Sequence, residues 1–160
     1  MIVLEKMNPE VKEKWLAALR SGEYLQGIGS LRRYNSVTGE SRYCCFGVLC
    51  ELALEQGVIS SRDESGGITA YDGIFALPSE AIARWAGLDQ EDFRYLPDDM
   101  EGFIYYSPRV TRQTTNAICR NSTGVLANQL FEGTGTVALS ALNDSAYPFS
   151  VIADVIELDL

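Results

Sequence analysis

Gly22, Gly57 and Gly87 each stand directly behind a short stretch of helical periodicity, and this punctuation restricts the chain to short helices separated by turns. A glycine just past a helix adopts the left-handed conformation that closes the last turn, so a helix rarely runs through it. Before Gly22, Asn8 can cap a helix, Pro9 suits its first position and Glu10 complements its dipole. Val11, Trp15, Ala18 and Leu19 recur there at i, i+4, i+7 and i+8, one apolar stripe. The spacing predicts a second helix from about Cys45 to Gln56, with Phe46, Leu49, Cys50, Ala53 and Leu54 on one face. Leu77-Pro78-Ser79-Glu80 opens a third that carries Ile82 and Trp85, and Phe149, Ile152, Ala153 and Ile156 mark a last one beginning near Pro148.

Between the helices the pattern changes. Tyr24-Leu25, Leu31 to Tyr34 and Ser41 to Cys44 fit short strands joined by turns at Gly27-Ile28-Gly29 and Thr38-Gly39. Residues 60–76 read as loop, with Glu64-Ser65-Gly66-Gly67 as its flexible point. Residues 89–135 have the weakest pattern: Gly102 to Tyr106 reads as a strand, Val125 to Phe131 fits helix or strand, and Thr134 to Leu139 leads into Leu142-Asn143-Asp144. No internal repeat, low-complexity tract or Pro-rich linker divides the chain. The expectation is an α+β fold, a small single domain over residues 1–160, with about four helices packed against short antiparallel strands. A chain of 160 residues buries roughly 70% of its unfolded surface, enough for a core without staples.

Lys and Arg number 13 against 22 Asp and Glu, so the net charge is 13 − 22 = −9. Such a surface repels phosphate backbones and anionic headgroups, so neither DNA, RNA nor a membrane is an expected partner. The start, Met1 to Lys6, is too briefly apolar for a signal peptide, and no run reaches the ~18 apolar residues of a membrane span, so a cytoplasmic location is expected. Cys44, Cys45 and Cys50 lie in one apolar stretch and read as reduced core thiols. A zinc site would need distant Cys119 and a pair of vicinal cysteines, with no histidine to help. No metal or cofactor is expected.

The chain has no histidine. That excludes Ser-His-Asp and Cys-His devices and most zinc hydrolases. Nucleophile-elbow, Walker and dinucleotide-fold signatures are missing as well. Carboxylate chemistry remains, from Asn143-Asp144, Asp98-Asp99 or Glu91-Asp92, but adjacent residues seldom converge on one point. Asp144 reads as an Asx-turn or helix cap, and no catalytic residue is assigned.

One segment suits a small anion. Gly27, Gly29 and Ser30 precede Arg32, Arg33 and Tyr34, and Arg42-Tyr43 follow. Close glycines let backbone N–H groups approach an anion, arginine forks grip phosphate bidentately, and tyrosine faces accept a stacked base. The same residues admit a plainer reading, in which the glycines permit a tight turn and the arginines pair with carboxylates such as Glu40.

Trp15 to Tyr24 with Gln26 to Arg32, then Tyr43 to Ala53, Leu77-Pro78, Trp85-Ala86-Gly87-Leu88, Leu142-Asn143-Asp144-Ser145 and Phe149 to Glu157, resembles a group of uncharacterised tailed-phage proteins. Pro148 departs from the small hydroxyl cap common at that place in such sequences, and residues 89–135 are longer than their usual linker. The resemblance implies a phage accessory protein acting in the host bacterial cytoplasm, and it transfers no site residue. Three functions follow as expectations. The leading one is a non-catalytic binder that sequesters a small phosphorylated, nucleotide-like molecule, with a homo-oligomer sharing the cleft. The second is an acidic inhibitor of a basic host protein, and the third a metal-dependent phosphodiesterase.

Overall fold

Asn8 Oδ1 accepts the N–H of Glu10, and from that cap helix α1 runs over Pro9–Arg20. The structure, a computed structural model, describes residues 6–95, 105–111, 113–115, 117–118 and 136–160. Val11, Trp15, Leu16 and Leu19 form the buried stripe of α1. Trp15 is fully buried; its indole donates to the carbonyl of Cys45 at 2.9 Å and its ring lies 5.7 Å from that of Phe46.

Phe46 belongs to α2 (Cys45–Glu55), in which every residue from Cys45 to Ala53 is buried. A helix apolar on all sides belongs at the centre of a fold, and α2 packs against α1 and the sheet. Helix α3 (Glu80–Ala86) is capped by Ser79 and closed by Gly87, at φ 72°. Near the end of the chain stand α4 (Leu139–Asp144) and α5 (Phe149–Asp159), and α5 covers α1. The start of α1 is tied to the last helix and to α3: Met7 N donates to Leu160 O at 3.0 Å and Asn8 N to Ala86 O at 2.8 Å. Among the described residues, no helix is long and apolar enough to cross a membrane.

The strands are short and antiparallel. β1 (Arg32–Tyr34), β2 (Ser41–Tyr43), β3 (Arg62–Ser65) and β4 (Ile68–Tyr71) form one sheet in the order β2-β1-β4-β3. Two further pairs are β5 (Arg94–Tyr95) with β6 (Tyr105–Tyr106), and β7 (Arg109–Thr111) with β8 (Thr136–Ala138). The α+β class with four longer helices agrees with the sequence reading.

Two local expectations change. Residues 62–71, read as loop, form a hairpin closed by Gly66 and Gly67. Both have positive φ, 61° and 79°, and Ser65 pairs directly with Ile68, as a two-residue type I′ connection requires. Tyr24-Leu25, read as a strand, contributes none; the chain meets β2 only at a single parallel bridge, Gln26 to Tyr43. The readings for Val125 to Phe131, Cys119, Asp98-Asp99 and Gly102 to Ile104 lie outside the described residues.

Cys44, Cys45 and Cys50 are free and buried. Burial raises the Cys44 thiol to about 11 and pushes Cys45 and Cys50 well above the ordinary thiol value. These thiols are expected to ignore a disulfide reagent at pH 8 until denaturant is added. Because the folded-state value is raised, this stabilisation is complete below about pH 9 and is lost as pH rises toward about 11. Cys44 alone then accounts for about 2–3 kcal/mol of alkaline destabilisation. Denaturant midpoints from pH 8 to 11 check it: a Cys44→Ala variant should lose less stability over that range than the parent, and an equal loss would refute the assignment.

Candidate functional site

Strand alternation decides what the arginine cluster can do. On β1, Arg32 registers with Tyr43 of β2 and Thr69 of β4, and Thr69 registers with Glu64 of β3, one row across four strands. Arg32 is 7% exposed, and its two terminal nitrogens are held by this row and its neighbours. It donates to Glu64 Oε1 at 2.6 Å, Thr69 Oγ1 at 2.8 Å and Ser41 Oγ at 2.8 Å. Its guanidinium lies 5.5 Å from the Tyr34 ring centroid and 5.8 Å from that of Tyr43. Below it, Arg62 pairs with Glu51 and Tyr71 Oη donates to the same carboxylate, so a charged network ties the sheet to α2.

Arg33 points the other way. It registers with Arg42 on β2 and Ile68 on β4, and these three side chains share the outer face. With Tyr34, Asn35, Glu40, Gly66 and Gly67 they line an open groove of about 340 Å³. Gly67 is required here twice: its φ is positive, and a Cβ would lie 3.2 Å from the carbonyl of Tyr34. Arg42 holds Glu40 at 2.7 Å, whereas Arg33 has no carboxylate partner among the described residues.

The glycine loop lies beside this groove, and the N–H groups of both its glycines are already used. Gly27 N donates to Tyr43 O at 2.7 Å, and a Cβ at Gly27 would come 2.9 Å from Cβ of Arg42. Gly29 N donates to Asp144 Oδ1 at 3.0 Å, so the anion at that amide is the chain's own carboxylate. Ser30 is buried. Of the predicted residues, Arg33 and Arg42 meet on the outer face and line the groove, which Tyr34 borders although its ring packs against Arg32; Arg32 and Tyr43 lie on the other face; Gly27 and Gly29 shape its edge. Tyr43 also meets Tyr24 edge-on at 5.1 Å.

Asn143, read as one half of an acidic pair, is instead a buried structural hub. Its Oδ1 accepts from Cys45 N at 3.1 Å and Gln26 Nε2 at 3.2 Å, and its Nδ2 donates to Gly27 O at 2.9 Å. Asp144, expected as an Asx-turn or helix cap, ends α4 and reaches across to Gly29.

A feature missed by sequence reasoning is a second cleft, about 270 Å³, lined by Leu77, Phe93, Arg94, Ser107, Arg109, Ala138 and Ser140. These residues come from segments 63 positions apart (140 − 77), so no local spacing could announce them.

Fold and site together define a small α+β protein with an arginine-edged groove on a four-stranded antiparallel sheet. The chain belongs to the family described as a domain of unknown function, DUF8296, whose model matches residues 7–160. No curated protein and no solved structure matches the chain.

Proposed function

We propose that the chain binds a small phosphorylated, nucleotide-like molecule in the groove of Arg33, Tyr34, Arg42 and the Gly66-Gly67 turn, and holds it without converting it. The carrying observation is the direct cross-strand pairing of Arg33 with Arg42. Like charges placed opposite each other on a sheet are destabilising. Glu40 offsets Arg42 only, and a bound dianion would relieve both while offering oxygens to two planar forks. Asn35 adds a polar side chain at the rim. The similarity to tailed-phage proteins extends this reading to sequestration of a host antiviral nucleotide signal inside a bacterium.

Protein purified from bacteria with active nucleotide-signalling defences is expected to release a stoichiometric phosphorylated ligand on heating, read by mass spectrometry. Each charge-assisted contact is worth about 1.5–3 kcal/mol, so Arg33→Gln with Arg42→Gln should lower affinity roughly 100-fold or more. Its unfolding midpoint should stay level or rise slightly, because the repulsion is gone. Undiminished ligand in the double variant would refute the assignment.

A further inference from the structure

Most of the described arginines of this acidic chain are neutralised. Among the described residues, Arg20, Arg32, Arg42, Arg62 and Arg84 each hold a carboxylate. Besides Arg33, the two that hold none are Arg94 and Arg109, and both line the 270 Å³ cleft.

These two residues reach the cleft by separate routes. Arg94 opens β5 and Arg109 opens β7, so each starts a strand in a different two-stranded sheet. The sheets are joined at Ser107-Pro108: Ser107 N donates to Phe93 O at 2.7 Å, and Leu139 N to Pro108 O at 2.8 Å. The side chain of Arg109 is half-buried and held in place. Its Nε donates to Thr136 Oγ1 at 2.9 Å and its NH2 to Thr136 O at 3.4 Å, which leaves the NH1 side of the fork without a partner among the described residues. A half-buried guanidinium is costly without a counter-charge, and a fixed fork loses little freedom on meeting one. Arg94 is exposed and free to swing over the opening.

The other walls set the kind of ligand. Ser107 and Ser140 add hydroxyls; Leu77, Phe93 and Ala138 are apolar. Apolar walls with a few convergent polar groups are the usual make-up of a small-molecule site. At about 270 Å³ the space lies just under the common range for such pockets, which begins at about 300 Å³, so the occupant is small. None of the cleft residues lines the groove on the four-stranded sheet.

We propose that the cleft between Arg94 and Arg109 is a second anion site, for a small phosphate monoester whose apolar group rests on Leu77 and Ala138. Arg109 fixes the phosphate, Arg94 closes over it, and the two serines bond its remaining oxygens.

Phenyl phosphate is a suitable probe, titrated calorimetrically against the full chain with inorganic phosphate alongside. The expected result is one-to-one binding, tighter for phenyl phosphate. Arg94→Gln should weaken it about tenfold or more, the loss of one charge-assisted contact. Arg109→Lys should also weaken it, since a lysine keeps the charge but not the fork. Arg33→Gln with Arg42→Gln should bind the probe as the parent does. Arg94 is exposed, so its substitution leaves the fold intact, and an unchanged melting temperature checks this. Equal binding by the parent and Arg94→Gln overturns the proposal. So does a loss that follows the Arg33 and Arg42 substitutions instead, which would place the anion in the groove, and so does the absence of binding to the parent at millimolar probe.

Discussion

Gly47→Ala is expected to prevent the chain from reaching its native packing. In an ordinary helix this change adds about 1 kcal/mol of stability, because alanine is the better helix former. Here the sign reverses. Gly47 sits in the first turn of α2, where the helix crosses the backbone before β1, and an added Cβ would lie 1.7 Å from the carbonyl oxygen of Leu31 and 2.7 Å from its carbon. Neither partner can yield cheaply. Leu31 N is bonded to Phe75 O at 2.9 Å, Leu31 O accepts from Cys44 N at 3.2 Å, and Leu31 itself is fully buried. Overpacking against flexible side chains costs about 1–3 kcal/mol; against fixed backbone the loss should exceed about 4 kcal/mol, most of the margin of a domain this size. Near-ultraviolet circular dichroism and urea unfolding test it. Gly39→Ala is the control: its φ is 76° and nothing lies within 4 Å, so it should lose only about 1 kcal/mol. A Gly47→Ala protein with a parent-like midpoint would show that the helix can lift off Leu31.

The second large effect is expected at Asn143. Asn143→Ala strips a fully buried position of three hydrogen bonds and leaves Cys45 N–H and Gly27 O without that partner. The cost should be about 3–5 kcal/mol, since each stranded group forfeits its full desolvation. Gln26 remains anchored through Tyr147 O and Phe149 N, so the lesion should centre on the start of α2. Asn143→Asp separates the contributions. It keeps the acceptor for Cys45 N but turns a carboxylate toward Gly27 O, and its stability should recover as pH falls, because a protonated carboxyl can donate there. Urea midpoints at pH 4 and pH 7 read the difference; a pH-independent Asn143→Asp would refute the donor role.

Local signals explain what was legible beforehand. The Asn8 cap, Pro9 and Gly22 bound α1 with residues a few positions apart, and the Ser79 cap and Gly87 do the same for α3. The hairpin of β3 and β4 escaped because Arg62-Asp63-Glu64-Ser65 is an edge strand: it is paired on one side only, and three of its residues are exposed. Such a strand needs no apolar alternation, and the Gly66-Gly67 turn was its only signature.

The candidate site was half legible for a related reason. Arg32 and Arg33 look alike in sequence, yet consecutive strand residues face opposite ways, and only the pairing with β4 tells which is the inner one. Thr69 and Glu64, which occupy Arg32, lie on the hairpin whose sequence carries a loop pattern. Arg94 and Arg109 were out of reach altogether, because their convergence depends on how two separate strand pairs meet.

The contact of Met7 with Leu160 has a bearing on biosynthesis. Helix α1 leaves the ribosome before α5, which covers it and is made more than a hundred residues later, as the 153-residue separation of Lys6 from its bond to Asp159 O illustrates. Trp15 and Leu19 must therefore wait on the nascent chain without their final shelter. This domain completes its fold only once α5 has emerged, and chaperone occupancy on ribosome-bound chains should be greatest just before that point.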